Sequence, residues 1–125
     1  MEETILDLVK DEDKYYIEGF KFECMPMTRD DIKDLLNVFV GFKIAYQYYT
    51  TDVSVPREEK RSIKYKKRVR DFTIELIIDK DNCKISITHK LEGNDISRSI
   101  LLDNVTPEKI KSLTAYISKF LKQTE

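Results

Sequence analysis

The sequence predicts an α+β fold: one small domain with a mainly antiparallel sheet of about five strands packed by two helices, in the order α-β-α-β-β-β-β-α. Three observations predict it. A chain of 125 residues without a Gly/Ser/Pro-rich linker has the usual size of a single domain, here residues 1–125. Residues 62–102 contain three runs in which apolar and polar side chains alternate, as in strands. Residues 28–41 and 106–121 repeat apolar side chains at helical spacing.

The N-terminal quarter predicts a short helix followed by a strand. Residues 2–10 place Ile5, Leu6 and Val9 on one helical face. Residues 15–24 alternate as in a strand, and the apolar side changes at Gly19, which predicts a β-bulge there. Pro26 ends this strand, because proline cannot donate a ladder hydrogen bond.

The next segment predicts a helix that begins at Thr28 and ends at Gly41. Thr28 and Asp31 have the spacing of a capping box, and glycine is the usual residue just after a helix. The predicted buried stripe is Ile32, Leu35, Leu36 and Phe39. Residues 42–49 then alternate as in a second strand. The alternative is one longer helix running to Tyr49, which the aromatic and Thr-rich "YQYYTT" disfavours.

The second half predicts a polar loop, a three-stranded meander and a helix. Residues 52–61 form the loop, residues 62–78, 83–91 and 96–102 form the strands, and "DKDN" and "EGND" form the turns between them. The middle strand has one apolar face, comprising Cys83, Ile85, Ile87, His89 and Leu91. The last helix begins with Thr106 as N-cap and Pro107 at its first position. Its predicted buried stripe is Ile110, Leu113, Ile117, Phe120 and Leu121.

The strand "SIKYKKRVRDFTIELII", residues 62–78, is basic in its first half and apolar in its second half on the same alternate positions. If it is unbroken, residues 62–71 run out past the core edge, either as a protruding basic β-arm or as the solvated end of a long hairpin. One alternative is a solvated edge strand, since Lys-rich edges prevent sheet-to-sheet aggregation. Another is a bulge near Arg70 that returns the bases to the wet face of the sheet.

This basic segment, with nearby tyrosines, predicts a surface for an anionic partner, RNA or single-stranded nucleic acid before others. Basic side chains follow phosphates, and aromatic rings stack on unpaired bases. Tyrosines in strands also serve as packing residues at the edge of a core. The predicted nucleic-acid-binding residues are Arg57, Lys60, Arg61, Lys64, Tyr65, Lys66, Lys67, Arg68, Arg70, Tyr46 and Tyr48.

The charge distribution supports a second hypothesis, a protein-binding module. Residues 1–34 carry eleven acids and five bases, whereas residues 57–70 carry eight bases and two acids. The acidic third would mimic nucleic acid or cover a basic protein, as in an adaptor, a secretion-type chaperone, or an inhibitor or immunity protein of a mobile element. Alternatively, the two regions neutralise each other within the fold.

The sequence contains no catalytic signature, so a non-catalytic protein without a cofactor or metal is expected. Its three glycines are scattered singly, which excludes a phosphate-binding glycine loop, and no Gly-x-Ser-x-Gly elbow occurs. The single histidine, His89, and the distant Cys24 and Cys83 do not have zinc-site spacing. "DKDN" begins like a calcium loop, but Lys84 stands where that loop needs glycine.

Composition also bears on location. No apolar run approaches the roughly eighteen residues of a membrane span, and the acidic N-terminus lacks the pattern of a secretory signal. Two cysteines fit a reducing compartment. The expectation is therefore a cytoplasmic protein that does not bind membranes and whose partner is nucleic acid or another protein.

Overall fold

The computed structural model describes residues 7–17, 27–70, 72–80, 82–90 and 97–124. Within these ranges it confirms the α+β class, with two helices and six strands in two antiparallel sheets. The elements are β1 (Leu8–Asp11), β2 (Lys14–Ile17), α1 (Arg29–Thr51), a 3-10 turn (Arg57–Glu59), β3 (Ile63–Val69), β4 (Phe72–Asp79), β5 (Asn82–Lys90), β6 (Ser97–Leu102) and α2 (Pro107–Gln123).

The main sheet is an antiparallel meander in the order β3-β4-β5-β6. One face carries the apolar positions of β4 and β5, which pack with the buried stripes of α1 and α2 in a single core. We call the opposite side the open face. Helix α1 runs alongside β3 in the opposite direction, because its first turn contacts Arg70 after β3 and Tyr49 near its end contacts Arg61 before β3.

The structure corrects the predicted N-terminal helix. Leu8–Asp11 form β1, which pairs with β2 around a turn in which Glu12 has φ 57°. Leu8 is buried, and its N–H donates to the hydroxyl of Tyr116 on α2 at 2.9 Å. Ladder pairing and this contact satisfy the backbone, which outweighs a marginal helical pattern. Residues 2–6, the bulge at Gly19 and the strand beyond residue 17 lie outside the described residues.

The structure also corrects the end of the first helix. Thr28 and Asp31 form the predicted capping box, but α1 continues through Gly41 to Thr51, so the predicted strand over residues 42–49 is wrong and the longer helix is right. The buried stripe extends at helical spacing past Phe39 to Phe42 and Tyr49. Burial of these aromatic rings overrides the low helix propensity of the segment.

Residues 62–78 do not form a single strand, so the predicted arm is wrong. A turn at Arg70, with φ 52°, divides the segment into β3 and β4, and all of β3 pairs with β4 from Ile63↔Ile78 to Val69↔Phe72. Positions of equal parity in the two strands therefore face opposite sides of the sheet. This arrangement agrees with two of the predicted alternatives. The basic segment is an edge strand, and its bases at alternate positions lie on the wet face of the sheet.

The C-terminal half otherwise follows the prediction. Cys83, Ile85, Ile87 and His89 are buried on one face of β5, while Leu91 lies outside the described residues. Thr106 caps α2 by accepting the N–H of Lys109 at 3.2 Å, and Pro107 opens the helix. Four of the five predicted stripe residues are buried, and Phe120 packs at the margin of the core. Neither described helix combines the length and apolar character needed to cross a membrane.

Candidate nucleic-acid interface

The exposed basic residues of β3 form a row along this strand, which is an edge strand among the described strands of the main sheet. Lys64, Lys66 and Arg68 occupy successive open-face positions of β3, and all three are exposed. Alternate residues of a strand are roughly 6.6 Å apart, since the rise is about 3.3 Å per residue. We call Lys64, Lys66 and Arg68 the basic row.

The bases differ in how far the fold neutralises them. Lys64 lies 3.2 Å from the carboxylate of Glu75 on β4, and Arg70 lies 2.8 Å from that of Asp31. Arg68 donates from Nε to the carbonyl of Arg70 at 3.0 Å, which braces the turn. None of the described carboxylates lies within ion-pair distance of Lys66.

Hydroxyl groups adjoin the basic row on the open face. In the β3–β4 register, Thr73 lies beside Arg68, and Glu75 lies beside Lys66. Ser86 and Thr88 follow on the next strand, β5. These four neighbours of the basic row on β4 and β5 are half-buried. No aromatic residue occupies an open-face position of the described strands. The described part of the open face therefore offers charge and hydrogen bonds but no ring for base stacking.

The predicted aromatic residues do not meet on one surface. Tyr65 lies on the helix-covered side of β3 and is 37% exposed. Tyr46 packs half-buried against the core, and burial raises the pKa of its hydroxyl, with smaller effects of Cys83 and Glu108. Tyr48 is 73% exposed near the end of α1. The structure thus separates Tyr46 from the basic segment.

A cleft lies between the end of α1 and the start of β3. Its volume is about 310 Å³, and its lining residues are Tyr48, Tyr49, Asp52, Val55, Glu59, Lys60, Arg61 and Ile63. Two predicted site residues of the loop, Lys60 and Arg61, are thus brought together with Tyr48. Lys67 is exposed on the covered side of β3, and Arg57 belongs to the 3-10 turn, where only its backbone is described.

Tyr49, which was not among the predicted site residues, organises this cleft. Its hydroxyl accepts the N–H of Lys80 at 3.1 Å and donates to the carbonyl of Arg61 at 3.3 Å. Lys60 donates from Nζ to the Tyr49 carbonyl at 2.6 Å and lies 5.1 Å from the ring centroid. Sequence reasoning would have found Tyr49 by extending the helical stripe of α1 past Gly41.

The remaining reactive side chains belong to the core. His89 is buried with its ring 5.1 Å from that of Phe72. Burial raises the pKa of the Cys83 thiol to about 12, which keeps it protonated at neutral pH. Among the described residues, no group of three His, Cys, Asp or Glu side chains is placed to hold a metal ion.

Comparison with protein-family models, curated proteins and solved structures finds no match to this chain.

Proposed function

We propose that this protein is a non-catalytic binding module that engages RNA or another single-stranded nucleic acid through the basic row of β3. The observation that carries the proposal is that Lys64, Lys66 and Arg68 occupy three successive open-face positions of β3, the edge strand of the described sheet. Their regular spacing suits the repeated phosphates of an extended single strand, which basic side chains contact with release of counterions.

The surroundings of the row support phosphate contacts over base recognition. Hydroxyls such as those of Thr73 and Ser86 are common donors to phosphate and sugar oxygens. Because the described open face lacks aromatic rings, binding is expected to depend mainly on charge and only weakly on base identity. Lys66 and Arg68 are expected to contribute most, since Lys64 is shared with Glu75.

The test is fluorescence anisotropy with labelled single-stranded RNA and DNA over a range of salt concentrations. Three phosphate contacts predict a slope of log affinity against log salt of about −2, at roughly −0.7 per contact. The double variant Lys66→Glu/Arg68→Glu should bind far more weakly and with a shallower slope. Its melting temperature should fall only modestly, because exposed charges contribute little to stability, although Lys66→Glu faces Glu75 and Arg68→Glu loses the bond that braces the turn.

The matched control is Lys111→Glu/Lys119→Glu, which makes the same charge change at exposed positions of α2. It should retain most of the wild-type affinity. Equal loss in the two double variants would mean that only net charge matters, and undetectable or salt-independent binding by the wild type would contradict the proposal.

A second candidate is a module that binds a basic protein, and the β1–β2 hairpin favours it. Asp7, Asp11, Glu12 and Asp13 are all exposed around this hairpin, whose described residues 7–17 include two bases, Lys10 and Lys14. Such a surface would complement a cationic partner. Loss of nucleic-acid binding together with capture of a protein that survives nuclease treatment would favour this candidate.

A further inference from the structure

Helix α1 carries an apolar stripe on the side facing away from the core. Val40, Ile44 and Tyr48 follow one another at intervals of four residues and are 39%, 61% and 73% exposed. Residues at this spacing are neighbours on one side of a helix. Isolated apolar side chains are ordinary on a protein surface, whereas contiguous exposed apolar side chains, as in this row, are a feature of interaction sites. We call these three residues the outer stripe.

Gly41 lies beside the outer stripe near the middle of the 23-residue helix. Glycine is a poor helix former, and a Cβ atom at Gly41 would meet nothing within 4 Å. Packing among the described residues therefore does not require a glycine here. A second helix that crosses at Gly41 would use it, because the missing side chain lets another backbone approach closely.

The charges along α1 select one orientation for such a crossing. Asp34 lies seven residues before Gly41 and Tyr48 seven residues after it, and both are exposed. Arg61 is exposed beside Tyr48 in the cleft. Two antiparallel copies of α1 that cross at Gly41 would bring Asp34 of each copy towards the cleft that Arg61 of the other lines, whereas parallel copies would place Asp34 beside Asp34. The neighbouring Lys33 is already paired with Asp30 of its own helix at 4.0 Å. The antiparallel arrangement also opposes the two helix dipoles favourably.

From these observations we propose that the protein self-associates into a symmetric dimer, in which the outer stripes of two α1 helices pack antiparallel with Gly41 at the crossing. A two-fold axis makes each Asp34–Arg61 contact occur twice. The free edge of β3 does not suit self-association, because antiparallel β3 strands would set their basic residues against one another. The proposed dimer leaves the basic row of both copies free, and it does not depend on the nucleic-acid proposal.

Sedimentation velocity over a wide range of protein concentration tests the dimer. The wild type should shift from monomer to dimer as its concentration rises, and Ile44→Glu should remain monomeric with an unchanged melting temperature, because Ile44 is largely exposed. Leu101→Glu is the matched control. It charges an apolar residue that is 55% exposed on the open face and should dimerise as the wild type does.

Charge exchange tests the orientation and the identity of the partner. Asp34→Arg alone and Arg61→Asp alone should each weaken the dimer, by at least several-fold. Mixing the two variants should restore it, because in the mixed antiparallel dimer both contacts join opposite charges. This test also stands if Ile44→Glu fails to fold. A wild type that stays monomeric, a dimer that survives in folded Ile44→Glu, or a mixture that does not recover would overturn the proposal.

Discussion

Several charged side chains of the basic segment have structural partners that limit what they offer to a ligand. Asp31 accepts the N–H of Thr28 and the guanidinium of Arg70, both at 2.8 Å, so one carboxylate joins the start of α1 to the β3–β4 turn. Lys60 is similarly tied to the carbonyl of Tyr49. The bases most available to a partner are therefore those that lack such contacts, Lys66 foremost.

The thiol of Cys83 provides a prediction at the scale of one residue. Cys83 is 1% exposed, and burial raises its pKa from 9.0 to about 12. The folded state thus disfavours the thiolate, which is the reactive form. In a Cys24→Ser background, dithionitrobenzoate at pH 8 should label Cys83 far more slowly in the native protein than in denaturant, with the absorbance of the released thiolate as the measurement. Comparable rates in the two states would contradict the burial of this thiol.

The raised pKa also fixes the sign of a pH effect. Because the folded pKa of Cys83 exceeds the unfolded value, its contribution to stability is fully present below about pH 9 and decreases as the pH rises towards 12. Cys83→Ala in the same background is the control, since it lacks this titration. The free energy of unfolding should fall less steeply for Cys83→Ala over that interval.

At the scale of elements, the length of α1 decides how the tyrosines are arranged. Residues i and i+2 of a strand share a face, whereas residues i and i+2 of a helix lie about 200° apart around the helix axis. The helix therefore turns Tyr46 towards the core and leaves Tyr48 in solvent. The same geometry places Tyr49 over the loop that leads into β3.

Gly41→Ala tests the continuous helix. Within a helix, alanine should raise the free energy of unfolding by about 0.5–1 kcal/mol, because it restricts the unfolded chain and its Cβ meets nothing here. The measurement is urea unfolding at a concentration low enough for the chain to be monomeric. If Gly41 instead ended the helix with positive φ, alanine would destabilise the protein. A loss of stability would thus contradict the continuous α1.

Local signals predicted the elements whose boundaries carry recognisable residues. Thr28, Thr106 and Pro107 marked helix starts correctly, and the alternation of β5 identified its buried face. The sequence offered a break near Arg70 only as an alternative bulge and not as a hairpin turn, because arginine rarely adopts a positive φ and the segment lacks the Asn or Gly typical of tight hairpins. Most of the predicted basic residues thus lie on or beside an edge strand. The prediction that Tyr46 lies near them was wrong, because it depended on a strand over residues 42–49 that is part of α1.

At the scale of the whole molecule, the acidic and basic regions of the chain neutralise each other only in part. The ion pair between Asp31 and Arg70 joins the acidic third to the basic segment, yet the basic row and the acids of the β1–β2 hairpin remain exposed. The two helices cover one side of the main sheet, and neither of them packs on the open face. A partner on the open face and a second copy on α1 would therefore occupy different sides of the molecule.

The helix-covered core should provide most of the stability of this arrangement, and two isoleucines in the two helices measure it. Ile117 of α2 is fully buried, so Ile117→Ala should lower the free energy of unfolding by about 2–5 kcal/mol, through lost apolar burial and the cavity left behind. Ile44 of α1 is the matched control. Ile44→Ala is the same substitution at an exposed position of the outer stripe. The free energy of unfolding of the monomer should there change by no more than about 0.5 kcal/mol. Urea unfolding measures both, and similar losses at the two positions would mean that α2 does not cover the sheet as described.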